Sequence, residues 1–359
     1  MARILALASL LLVAVSCTSA PATGQAPPAP QASVPAPPWP AGDERGMANA
    51  IGAATYARCA PFLAEPTARA YELSYVRSNT MPLSPFAGPY AQRPLPTSGL
   101  GPLQVFNVEV LNENANPGQQ GTQMDALGHV GQLSRPWDGK SPIATDDVRY
   151  YGGFTQREVK PRPDSPLVKL GMDKVPPLIT TAVLLDARQH VGGGAAMKAG
   201  EVVTAAHLQG MLQAQGLQSR GILPGDAVLV FTGWSEHYAD PDTEKVYYAM
   251  APGLADDAVR FLMERRVVIV GLDTPFVDAV AEGQLAGKAP PPPGTPEGIP
   301  FPSHQRLLVE AGVHTLENPK LDELVRDKVW TSCVMVLPLR EKGAAGSAVR
   351  PVAIGAPVQ

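Results

Sequence analysis

Cysteine is scarce. The chain has three in 359 residues, too few for the bridged framework that holds small secreted domains together. A strong excess of charge is missing too. Twenty-nine basic side chains face 33 acidic ones, a formal net charge of −4, which argues against the basic footprint of a nucleic-acid binder. No apolar run is long enough to span a bilayer comfortably, and no internal repeat is evident. What is present is length enough for one large domain or two small ones, with an ordinary apolar share of 45%.

The first residues read as a targeting segment. Arg3 supplies a positive start and Ile4 to Val15 form a short apolar run, the pattern of a signal peptide over residues 1–16. The run ends Ala14-Val15-Ser16-Cys17, which resembles a bacterial lipoprotein lipobox. The resemblance implies cleavage before Cys17, lipidation of Cys17 and a membrane anchor that does not span the bilayer. The alternative is an ordinary signal peptide cut near Ala20. Residues 17–45 are rich in Pro and Ala and poor in bulky apolar side chains, so they read as an extended tether. The folded part, 46–359, is expected to start near Gly46. Either route makes the protein an exported one.

Beyond the tether, strand-like and helix-like stretches alternate, the pattern of an α/β protein. Leu103 to Leu111 alternates apolar and polar residues, as in a half-buried strand. Strands are also expected at Leu178 to Leu185, Ala227 to Thr232, Val267 to Leu272, Val313 to Leu316 and Ser332 to Leu337. Helices are expected at Thr204 to Gln215, with Thr204 as N-cap and Gly216 past its end, at Leu254 to Arg265, and at Gln305 to Ala311. Lys288 to Pro300 is a Pro/Gly-rich loop longer than a connector needs.

One stretch concentrates chemistry: Gly121-Thr122-Gln123-Met124-Asp125-Ala126-Leu127-Gly128-His129, flanked by Gln119 and Gly131. A carboxylate and an imidazole lie four residues apart among small residues that allow close backbone approach. Gln119 and Gln123 add neutral amide oxygens. Such a set suits a divalent cation or a polar catalytic pocket.

The stretch resembles the signature of the cyclase family, which includes kynurenine formamidase and isatin hydrolase: His-x-Gly-Thr-His-x-Asp-x-Pro-x-His. Gly121, Thr122, Asp125 and His129 are in register. Gln119 and Gln123 stand where the signature has its first two His, and Leu127 replaces its Pro. Further fragments match in order: Tyr71 to Ser74, Met81-Pro82, Gly225 to Trp234, Pro252 to Leu254, Val270 to Thr274, Phe301 to Gln305, Leu316 to Asn318, and Pro338 to Arg340 with Arg350 to Val352. The resemblance spans about residues 70 to 355. It implies a swivelling β/β/α domain, assembled as a homodimer or homotetramer.

It also implies a site. His304 and Glu317 fall on positions that complete the family's metal and catalytic centre; unaided, they read as a helix cap and a surface acid. Asp125, with Gln123, Gln119, His304 and Glu317, is expected to bind a divalent metal, Mn or Zn, with Mg or Ca open because amide oxygens replace imidazoles. An Asx turn is the alternative for Asp125. His129, with a pKa ordinarily near neutrality, is the expected proton shuttle. The catalytic set is therefore His129, His304 and Glu317. Asp273 reads either as support for the site or as a strand-end turn. His190, His207, His237 and His314 have no motif behind them, and Trp137 and Trp234 read as packing or pocket lining. The implied function is hydrolysis of a carbon–nitrogen bond in a small amide, formamide or cyclic amide. The alternatives are a non-catalytic ligand-binding lipoprotein, or a lactonase or cyclising dehydratase on the same scaffold.

Overall fold

A computed structural model describes residues 34–111 and 117–358. The expected signal peptide, Cys17 and the first part of the tether lie outside the described residues.

The body is built on one nine-stranded sheet. Its strands in chain order are β1 (Arg69–Glu72), β2 (Gln123–Asp125), β3 (Leu178–Asp186), β4 (Ala227–Phe231), β5 (Ile269–Leu272), β6 (His314–Glu317), β7 (Thr331–Val336), β8 (Gly346–Ala348) and β9 (Val352–Gly355). They lie side by side as β1-β9-β7-β3-β4-β5-β6-β2-β8. The central four, β3 to β6, run parallel, and the flanking pairs are antiparallel. Strands β4 and β5 are buried along their whole length, as their unbroken apolar runs require of parallel strands covered on both faces.

Helices connect the parallel strands: α1 (Ala53–Ala64) precedes the sheet, α2 (Ala205–Ala214) joins β3 to β4, and α3 (Asp256–Glu264) joins β4 to β5. Thr204 caps α2 by accepting from the His207 backbone N–H at 3.2 Å, so that N–H does not go unpaired at the helix start. Leu208 and Met211 of α2 and Val259 and Leu262 of α3 join the core cluster with β3, β4 and β5. The last crossover, β5 to β6, holds α4 (Pro302–His304), which widens into a π-helix over Gln305–Ala311 and stops at Gly312 in the left-handed region, φ 67°.

Four findings differ from the sequence reading or add to it. Leu103 to Leu111 is not a half-buried strand of the sheet. It forms two short strands, Gln104–Phe106 and Glu109–Leu111, each in its own two-stranded ladder. Leu103 and Val105 are exposed, because among the described residues no layer covers the face that the alternation marks out. The body also takes in residues ahead of Gly46: Trp39 packs on the core, and Asp43 accepts from the Gly46 N–H and the Tyr151 hydroxyl. Cys59 of α1 is bridged to Cys333 of β7, so two of the three cysteines pin the first helix to the sheet. Finally, no helix among the described residues is long and apolar enough to cross a membrane.

Candidate metal centre and its surroundings

The sheet register assembles the site. Strand β2 lies between β6 and β8, with Gln123 directly opposite Glu317 and Met124 opposite Leu316. Side chains two residues apart share a face, so Gln123 and Asp125 point one way while Met124 enters the core. Cross-strand partners on that face meet. The Gln123 amide N–H donates to Glu317 Oε2 at 2.7 Å, and the Thr315 hydroxyl donates to Asp125 Oδ2 at 2.8 Å.

His304 reaches the same spot from α4. Its Nε2 lies 2.9 Å from Glu317 Oε1 and 3.6 Å from Asp125 Oδ2. Its Nδ1 is held by Asp278 Oδ2 at 2.5 Å. Asp278 also accepts from the backbone N–H groups of Ser303 and His304, so one carboxylate both ties down the start of α4 and orients the ring. Asp125, His304 and Glu317 are all buried, and their candidate ligand atoms lie within 4.8 Å of one another.

Three buried oxygens here, Gln123 Oε1, Asp125 Oδ1 and Glu317 Oε1, accept no aligned hydrogen bond. Orphaned buried acceptors are costly, and such oxygens on residues that meet beside His304 fit a cation. The set is rich in oxygen, which suits Mn, Mg or Ca at least as well as Zn. The Gln123 amide nitrogen is anchored on Glu317, and its oxygen has no donor.

Electrostatics agree with a site that lacks a positive charge. Burial and the neighbouring Asp125 charge push the Glu317 carboxyl up to about 7, against the opposing pull of His304 and Gln123. Burial alone would lower His304, but hydrogen bonds to Asp125, Asp278 and Glu317 outweigh it and raise the imidazole well above its usual value. Burial likewise opposes ionisation of Asp125, yet His129, His304 and Thr315 hold that carboxyl low. Without an ion, protonated His304 therefore stands in for one. Its stabilising effect is complete below 6.5 and is lost as pH rises through its raised folded pKa. Glu317 acts in the same direction between 4.5 and about 7. Metal-free protein is thus expected to lose stability as pH rises. An entering ion must displace the His304 proton and, below about 7, the Glu317 proton, so affinity should climb by about tenfold per pH unit for each proton displaced. A chelator-competition titration at pH 6 and pH 8 checks this; equal affinities would remove His304 from the donor set.

The remaining candidates fall nearby or elsewhere. His129 follows β2 through a tight turn at Gly128, where a Cβ would come within 2.8 Å of Leu167. Its ring centre lies 6.3 Å from that of His304, and its Nδ1 faces the Gln119 amide nitrogen at 2.8 Å. Burial and His304 lower its pKa, against Asp125. Asp273 is buried and accepts from Thr232, Gly233 and Ser235, which makes it the cap of the turn after β4. Trp234 is buried among Tyr247, Tyr248 and Phe276, whereas Trp137 is exposed. His190 and His207 lie against each other, 6.2 Å between ring centres.

The sequence reading missed three contributors. Asp278 carries no local signal, since its role appears only when α4 folds over it. His314 reads as motif-free, yet it is fully buried with its Nδ1 2.9 Å from the Asp125 carbonyl oxygen. Asn318, at φ 56°, donates to the Gly121 carbonyl oxygen at 2.8 Å, and its own carbonyl accepts from Thr122. It thereby ties the end of β6 to the loop before β2. Asn tolerates that left-handed geometry better than most residues. Groups that orient ligands typically change metal affinity by 10–100-fold when removed. Asp278→Asn is expected to weaken metal binding by about that factor while the fold survives; unchanged affinity in a metal titration would show that Asp278 only caps the helix.

Comparison with known proteins places the chain in a family and a fold. Residues 71–279, more than half of the chain, match the family model Cyclase. The chain belongs to the cyclase family. The family match covers Gln123, Asp125, His129 and Asp278, whereas His304 and Glu317 lie beyond it. A crystal structure of a cyclase is 24% identical, with a TM-score of 0.70 over 88% of this chain and 95% of that one. Isatin hydrolase A from Ralstonia solanacearum is 22% identical, with a TM-score of 0.51 over 85% of this chain and 98% of that one. An isatin hydrolase bound to the product analogue thioisatinate is 19% identical, with a TM-score of 0.53 over 85% and 99%. These likenesses show a shared α/β cyclase fold. No curated protein matches the chain.

Proposed function

We propose that this cyclase-family member is a metal-dependent hydrolase that opens the carbon–nitrogen bond of a small amide, formamide or cyclic amide. The observation that carries the reading is the buried cluster of Asp125, His304 and Glu317, whose candidate ligand atoms lie within 4.8 Å of one another, with Gln123 Oε1 and Asp125 Oδ1 buried and without a donor beside it. A ligand-binding protein that had lost its metal would gain nothing from leaving the Gln123 and Asp125 acceptors orphaned. A divalent ion held by Gln123, Asp125, His304 and Glu317 would supply Lewis acidity toward a carbonyl and make water more acidic. The protein's own groups do the rest. Asp278 keeps His304 Nε2 turned inward. His129 hydrogen-bonds the leaving nitrogen as that nitrogen takes up the proton released by the attacking water.

An aromatic wall supports a ring-bearing substrate. Phe301 lies 6.0 Å from the His304 ring and packs edge-on against Phe276 and Phe86. Phe86 is 65% exposed. Edge-to-face pairing of this kind favours an aromatic guest over a saturated one. The isatin hydrolases among the structural relatives act, by their name, on a cyclic amide with a fused aromatic ring. The Cys59–Cys333 bridge supports an exported protein, because such bridges persist in oxidising compartments.

The test is turnover with Mn, Zn, Mg or Ca on a matched panel: formanilide, N-cyclohexylformamide, isatin, a lactone and an aryl ester. The reading expects metal-dependent hydrolysis of the aryl amides. Hydrolysis confined to the lactone and ester, or independent of metal, would replace it with one of the other chemistries.

A further inference from the structure

Gln119 occupies the place of the family signature's first His, yet its amide nitrogen is directed at His129. We propose that Gln119 is a positioning residue. It fixes His129 Nδ1 as a hydrogen-bond acceptor, so that the neutral ring carries its proton on Nε2 and offers that N–H to the substrate as a hydrogen-bond donor. The use of that proton rests on the hydrolase reading above; the hydrogen bond does not.

The argument is one of donor and acceptor inventory. A carboxamide nitrogen only donates. It lies 2.8 Å from His129 Nδ1, so Nδ1 meets it with a lone pair. A neutral imidazole has one N–H, which is then on Nε2. The opposite amide orientation would place Oε1 at Nδ1, require Nδ1–H and leave Nε2 as a base. The two orientations therefore assign His129 opposite roles.

The surroundings hold Gln119 in place. It is 9% exposed and ends the short 3-10 turn Pro117–Gln119. Gly346 of β8 passes so close that a Cβ there would lie 2.9 Å from both Gln119 Cγ and Nε2. Only glycine in that strand leaves room for the amide to reach His129. On the other side, the His129 backbone N–H donates to the Ala126 carbonyl oxygen at 2.9 Å, which sets where the ring begins. Ring and amide are thus fixed from separate elements, β8 and the turn after β2.

The test uses full-length protein labelled with 15N-histidine, with His129 assigned by comparison with His129→Asn. Long-range nitrogen–proton spectra at a pH where the ring is neutral report which nitrogen carries the proton. Wild type is expected to show protonated Nε2 and bare Nδ1. Gln119→Glu offers only an acceptor and should invert the tautomer. Gln119→Leu should give a mixture. In both variants kcat should fall about 10–100-fold, as for other groups that orient a working imidazole, with KM and metal content unchanged. A wild-type spectrum with Nδ1–H, or a Gln119→Glu spectrum identical to wild type, overturns the proposal. Loss of metal in Gln119→Leu would also overturn it, since that outcome makes Gln119 a ligand. If no substrate is turned over at all, the hydrolase reading fails while the spectra still decide the role of Gln119.

Discussion

Asp125→Asn is expected to fold and to lose turnover by about a thousandfold or more. Asp125 is fully buried. Thr315 occupies one of its oxygens, and the other has no donor. The Asn side chain keeps the shape but removes the charge, and it can place an NH2 group where an ion must sit. Lewis acidity contributes several kcal/mol to such reactions, and each 1.36 kcal/mol is a factor of ten in rate. Steady-state kinetics with circular dichroism of the variant checks this. Turnover within tenfold of wild type, on a folded protein, would show that the ion is not held by Asp125.

The second large effect is on stability. Replacing Cys59 and Cys333 together by Ser is expected to cost about 3–5 kcal/mol. The two residues are 274 apart in sequence, so the bridge closes most of the folded chain into one loop, and loop length is what sets the entropic gain. Both positions are buried, at 1% and 0% exposure, so the hydroxyls add a desolvation cost of their own. Urea unfolding of wild type with and without reductant separates the two contributions. Identical midpoints for oxidised and reduced wild type would mean that α1 is held on β7 by packing alone.

What was legible in the sequence was whatever depends on near neighbours. Leu178 to Asp186 and Ala227 to Phe231 were visible as strands because buried parallel strands need unbroken apolar runs. The start of α2 was visible because Thr204 has few better uses than as a cap. Asp125 was visible in the motif, His304 and Glu317 only through the family resemblance, and the structure brings all three together. The parts that stayed hidden depend on distant partners. Asp278 meets His304 only because the β5–β6 crossover returns over it. His314 has no motif behind it, and its contact with the Asp125 carbonyl appears only when β6 is placed beside β2. Leu103 to Leu111 alternates as a half-buried strand should, but alternation describes the strand and not the layer that must cover it. The role of Gln119 depends on which end of its amide faces His129, and no residue pattern encodes that. Cys59 and Cys333 pair across 274 residues with no spacing signature to link them.

The account stands on the ion. The direct measurement is elemental analysis of full-length protein, stripped with chelator, offered Mn, Zn, Mg and Ca in turn and dialysed, with Asp125→Asn treated in parallel. The account predicts close to one tightly held ion per wild-type chain and almost none in the variant. Wild-type protein that retains none of the four would contradict it, and would leave the donorless buried oxygens of Gln123 and Asp125 without an explanation.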